Sequence, residues 1–179
     1  FEQRRPMVGS MILDAIDPSR SFLTEVDLAQ LNASDLPKSI EQGDLVDAYR
    51  LYGLMLDRTE ARLNQWLETL ANGPDALDLT NNEFLELKDS DSPWLATPDE
   101  LPELWRQQLE NQAINLLLAD REPDDVVKAL IRRFESQKNR LEQTRPQDVF
   151  EAVINAYARA YDPHTSYLPP ADSETFNIN

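Results

Sequence analysis

Few side chains in this sequence could do chemistry. There is one histidine, His164, so a Ser-His-Asp triad has a single candidate base. His164 follows Pro163 between Asp162 and Thr165. A tight turn of this kind gives an imidazole a structural hydrogen bond more readily than a catalytic partner. A serine–lysine dyad needs an amine of lowered pKa beside a hydroxyl. The four lysines are Lys38, Lys88, Lys128 and Lys138. Lys38 adjoins Ser39 in a solvated turn, and Lys128 and Lys138 fall on a charged helix face, so no dyad is expected. Asp89-Ser90-Asp91-Ser92 alternates oxygens as a calcium loop does, but lacks the central glycine and the closing bidentate glutamate. Asp120, Glu122, Asp124 and Asp125 surround Pro123, where carboxylates favour a helix N-terminus. The four glycines, at 9, 43, 53 and 73, are too scattered for a phosphate-binding loop. The expectation is no catalytic residue, no metal site and no cofactor in this chain.

Composition narrows the classes further. The 179 residues carry 17 Lys+Arg against 33 Asp+Glu, a net charge of −16. Such a field repels phosphate, so nucleic acid is excluded as a partner on bulk electrostatics. There is no cysteine for disulfides or thiolate ligands. No apolar run reaches the length of a membrane span. With 41% hydrophobic residues the chain can bury a core.

Twelve prolines against four glycines favour helices bounded by proline over tight-turned sheets. The pattern predicts a mainly α domain of six to eight helices. A short helix over 7–16 places Met7, Met11, Ile12 and Ile16 on one side and ends at Asp17-Pro18. Thr24 caps a second, with Val26, Leu28 and Leu31 as its buried side. Pro37 opens a turn closed by Gly43. A long helix over 44–70 carries the seam Leu45, Tyr49, Tyr52, Leu56, Thr59, Leu63, Trp66 and Leu70. Gly53 inside it predicts close backbone packing. Residues 75–97 form one irregular insertion or a short hairpin of 78–80 with 83–87. Thr97, Pro98 and Glu100 spell a capping box, followed by the face Leu101, Leu104, Trp105, Leu109, Ala113, Leu116 and Leu117. Pro123 opens a helix with Val126, Val127, Leu130, Ile131, Phe134 and Leu141 inward. Its exposed Lys128, Arg132, Arg133, Lys138 and Arg140 form a basic strip, a candidate partner surface. Pro146 opens the last long helix, with Val149, Phe150, Val153, Ile154 and Tyr157 inward. A turn over 161–170 and a short helical turn from Ala171 towards Phe176 follow.

Two segments carry more than periodicity. One runs Leu13-Asp14-Ala15-Ile16-Asp17-Pro18-Ser19-Arg20-Ser21-Phe22-Leu23, with Asp27 after it. The other runs from Ala156 through Tyr161-Asp162-Pro163-His164-Thr165-Ser166-Tyr167 to Pro170 and ends in Glu174-Thr175-Phe176-Asn177. Their order resembles the N-terminal helical domain of the tail-specific branch of the C-terminal processing serine peptidases. Within it, Arg20, Phe22, Leu23 and Asp27 are the branch-like positions.

The resemblance implies a larger periplasmic protein. In that family a PDZ domain reads substrate C-termini and a serine–lysine dyad cuts in a protease core that this chain does not include. It implies a helical domain over 1–160 and a connector over 161–179 towards the PDZ domain, with Asp162, Pro163, His164, Thr165, Ser166 and Tyr167 as the joint. Implied partners are proteins with apolar C-terminal tails, the family's PDZ and protease domains, and a helical-repeat lipoprotein adaptor. The residues alone leave a second reading open: an acidic all-helical interaction module with no protease parent.

Overall fold

A computed structural model describes residues 5–80, 85–162, 164–165 and 167. The expected roles of Pro163, Ser166 and the turn from Ala171 to Phe176 lie outside the described residues, as does the centre of the expected hairpin. Among the described residues there are seven α-helices and no strand: α1 (Arg5–Ile16), α2 (Glu25–Gln30), α3 (Leu36–Glu41), α4 (Val46–Ala71), α5 (Leu101–Leu117), α6 (Pro123–Glu142) and α7 (Pro146–Tyr161). The mainly α expectation holds.

Two compact units divide the chain. One takes the residues up to Pro18, Asp27–Leu54 and those from Thr144 onward; the other takes Ser19–Val26 and Met55–Gln143.

In the first unit α1 packs on α7, on α3 and on the 3-10 turn Ala33–Asp35. Val8, Ile12, Leu13, Leu36, Ile40, Ala48, Leu51, Val149, Val153 and Ala156 are buried. Gly43 ends α3 at φ 78°, and its N–H donates to Ile40 O at 3.0 Å. Asp44 N–H reaches Ser39 O at 2.8 Å, so the carbonyls left over at the helix end are satisfied. α7 begins at Pro146, and Arg145 N–H donates to the Asp148 carboxylate at 2.7 Å. That bond, with the Arg145 side chain beside it, lowers the pKa of Asp148. Burial, then the Asp148 charge, raises that of Tyr52.

The second unit is built on Phe22, Leu63, Trp66, Leu70, Leu101, Trp105, Leu109, Ala113, Val126, Leu130 and Phe134. Trp66 and Phe134 pack with ring centroids 4.7 Å apart. The capping box before α5 forms as expected: Thr97 N–H donates to Glu100 Oε2 at 2.8 Å. Pro98–Glu100 is a 3-10 turn that leads into α5.

Three local expectations change. The α4 seam holds at Leu63, Trp66 and Leu70, but earlier the buried residues are Ala48 and Leu51, while Tyr49 is exposed. Gly53 is not at a close approach: a Cβ there would meet nothing within 4 Å. In α2 the buried residue is Asp27, with Val26 exposed and Leu28 and Leu31 half-buried. The insertion between α4 and α5 is irregular where described. It opens with the 3-10 turn Pro74–Ala76 and makes one isolated parallel bridge, Thr24 with Leu95.

Candidate functional site

The branch-like segment is the polar centre of the second unit. Arg20, Ser21 and Thr24 are buried, as are Phe22 and Leu23. A segment between helices has no ladder of its own, so its buried backbone groups need partners from elsewhere. Trp105 Nε1–H donates to Ser21 O at 2.7 Å, and Trp66 Nε1–H donates to Trp105 O at 2.7 Å. Ser21 Oγ donates to Ser19 O at 3.0 Å and accepts from Gln108 Nε2 at 2.7 Å. Arg58 donates to Phe22 O.

Arg20 reaches the other way. Its backbone is left-handed at φ 50°. Its guanidinium donates to the carbonyls of Ser90 and Ser92 and stacks 3.7 Å from the centroid of the Trp94 ring. Planar, multiply donating arginine suits this double task, which a lysine ammonium cannot reproduce. Arg20 therefore orders the insertion, Phe22 joins the core cluster, and Leu23 is buried. Asp27 lies in the first unit and is buried there.

The acidic insertion is occupied by its own donors. Asp89 Oδ1 accepts from Ser92 Oγ at 2.9 Å and from Asp91 N–H at 3.1 Å, and these bonds lower its pKa. Among the described residues no group of three metal-ligating side chains converges.

The segment expected to form the joint is bonded in a similar way in the first unit. Asp162 leaves α7 and accepts from His164 N–H and from Thr165 Oγ1, both at 3.0 Å. The His164 N–H bond, then the Thr165 hydroxyl, lowers the Asp162 pKa. Tyr167 N–H donates back to Asn155 Oδ1 at 2.7 Å, and its ring meets Phe150 edge-on at 5.7 Å. His164 is exposed, so the described part of this segment is an Asx-turn folded onto α7.

The five basic residues of α6 do not share one face. At about 3.6 residues per turn, Lys128 and Arg132 lie opposite the core stripe, Arg133 and Arg140 on one flank, and Lys138 on the other. Lys138 is half-buried and donates to Asn64 on α4 at 2.7 Å. Lys128 pairs at 3.7 Å with Asp125, both ends well exposed.

Two clefts open in the second unit. One, of about 760 Å³, is acidic: Asp78, Asp99, Glu103 and Glu110 line it with Arg106. Arg106 holds Glu110 at 2.7 Å and Glu103 at 2.6 Å, and its bond to Glu103 lowers that carboxyl's pKa. The other, of about 380 Å³, is lined by Arg62, Arg133, Gln108, Asn111, Gln112 and Gln137 over Trp66 and Phe134. Nothing in the sequence pointed to it, because its residues come from the segment after Pro18, α4, the insertion, α5 and α6.

The family model of the tail-specific protease N-terminal domain matches residues 7–171. The chain belongs to this family. The Tail-specific protease of Haemophilus influenzae is 32% identical over 151 residues, covering 84% of this chain. The chain spans 21% of that relative's length. The segments Leu13–Asp27 and Ala156–Pro170 both lie within the match to the tail-specific protease N-terminal domain. Among the described residues no helix is long and apolar enough to cross a membrane.

Proposed function

We propose that this chain is the non-catalytic N-terminal helical domain of a larger, periplasmic tail-specific endopeptidase of the serine type. The match over residues 7–171 carries the reading. The 21% share of the relative's length leaves ample chain for a PDZ domain and a protease core with its Ser/Lys dyad. His164 stands exposed in a turn, and Lys38 is exposed in α3 beside Ser39. Neither can desolvate a reacting bond.

In this reading residues 1–160 help to enclose or position substrates with apolar C-terminal tails, and 161–179 joins the domain to the PDZ module. The Asx-turn at Asp162 and the return contact of Tyr167 supply a joint of defined direction. Lys128 and Arg132 on the outer side of α6, with Arg133 and Arg140 on one flank, are the docking surface in this reading for a helical-repeat lipoprotein adaptor.

The test compares this 179-residue chain with the whole protein on an unfolded protein substrate. The chain alone should show no turnover, and the whole protein should cut. Turnover by the purified chain that survives removal of contaminants would refute the reading.

A further inference from the structure

The smaller cleft differs from the rest of the molecule in charge. The chain as a whole carries −16, yet the described residues lining this cleft include two arginines and no carboxylate. Arg62 is held rigidly, its guanidinium carbon 4.3 Å from the Phe22 ring centroid and 4.5 Å from that of Trp66. Arg133 is exposed at the flank of α6 and makes no ion pair with the described residues.

The walls are amides: Gln108, Asn111, Gln112 and Gln137. Amide side chains offer the same donors and acceptors as a peptide backbone. Gln108 commits Nε2 to Ser21 Oγ, and its Oε1 is buried without a hydrogen-bond partner among the described residues. The rim supplies apolar contact through half-buried Leu85 and through Leu87, which is 77% exposed.

We propose that this cleft docks an internal segment of a protein partner in which an acidic side chain neighbours an apolar one. The carboxylate goes to Arg133, the segment's backbone to the amide wall, and the apolar side chain to Leu85 and Leu87. Charge complementarity selects the occupant: a basic segment would meet two arginines, and an uncharged one would leave Arg133 unanswered. The inference rests on the cleft alone, so its failure leaves the protease reading untouched.

The test uses the whole protein and a fluorescent, N-acetylated, C-amidated peptide containing Leu-Asp-Leu, followed by anisotropy. Amidation removes the chain-end carboxylate, so a site that reads C-termini does not contribute. Three companion probes carry Asn in place of Asp, Lys in place of Asp, or Asn with a free C-terminus. The acidic probe should bind. Its affinity should fall roughly tenfold with the Asn probe and by a similar factor with Arg133→Ala, and Arg133→Lys should recover part of the loss. Arg121→Ala, an exposed change outside the cleft, should leave the affinity within about twofold. Because Arg133 is exposed, the variant should keep its helical circular dichroism. A cross-linker at Leu87 should capture the acidic probe. The proposal is overturned by no binding, by equal binding of the Asp and Asn probes, by binding of the free-carboxylate probe alone, or by affinity indifferent to Arg133.

Discussion

Trp105 donates its indole N–H to the backbone carbonyl of Ser21, 84 residues earlier in the chain, at 2.7 Å. The carbonyl of Trp105 in turn accepts from Trp66 at 2.7 Å. Two tryptophans thus tie α4, α5 and the segment after Pro18 into one buried chain of bonds. Trp105→Phe keeps most of the apolar contact but leaves a buried carbonyl short of a donor. Urea unfolding should show a loss of about 2–4 kcal/mol. A loss within about 0.5 kcal/mol would mean that the bond does not organise the core.

Arg20 bridges the same segment to the insertion through Ser90, Ser92 and Trp94. Arg20→Lys keeps the charge and loses the planar double donor. Amides of 89–94 should exchange with deuterium faster in this variant, while those in α5 and α6 keep their protection. Unchanged exchange at 89–94 would remove Arg20 from that role.

Gly53 has open space where a side chain would begin, and it lies inside α4. Gly53→Ala should stabilise the chain by about 0.5–1 kcal/mol, since it lowers the backbone entropy lost on folding. Thermal unfolding reads this directly. A lower Tm would show that the helix face is covered by something a methyl group displaces.

The Asp162 carboxyl is held below its ordinary value of 3.8 by His164 N–H and the Thr165 hydroxyl. A depressed folded pKa contributes order that is complete above the unfolded value and lost as pH falls through the folded one. The Asx-turn at Asp162 should therefore be intact at neutral pH and loosen below about pH 3.8. An NMR titration should place the Asp162 midpoint under that value. In Asp162→Asn, the exchange rate of His164 N–H should no longer respond to acid beyond its intrinsic pH dependence. A midpoint at or above the ordinary value would contradict the Asx-turn.

Local signals in this chain were legible where chemistry is local. Pro98 with Thr97 and Glu100, Pro123, and Pro146 marked helix starts because caps and proline rings act within one turn. Family membership was legible in two motifs, at Leu13–Asp27 and around Asp162. What escaped depends on residues distant in sequence. The phase of early α4, where Leu51 is buried and Tyr49 is not, follows from what packs there rather than from spacing. Spacing gave Asp27 no reason to be buried, and an aspartate in a first turn reads as solvated. The placement of the five bases of α6 was not legible, because thirteen residues of helix wind them onto three sides. The cleft at Arg133 needed five separate stretches of chain to meet.

The central claim is that this domain serves a protease that selects by C-terminal tail. Its most direct test incubates the whole protein with two copies of one substrate that differ only in their last few residues, apolar in one and charged in the other, and follows each by gel and intact mass. The apolar-tailed copy should disappear at least tenfold faster, and replacing the protease core's serine with alanine should abolish the loss of both. Equal rates for the two tails, or cleavage that survives removal of the serine, would contradict the account.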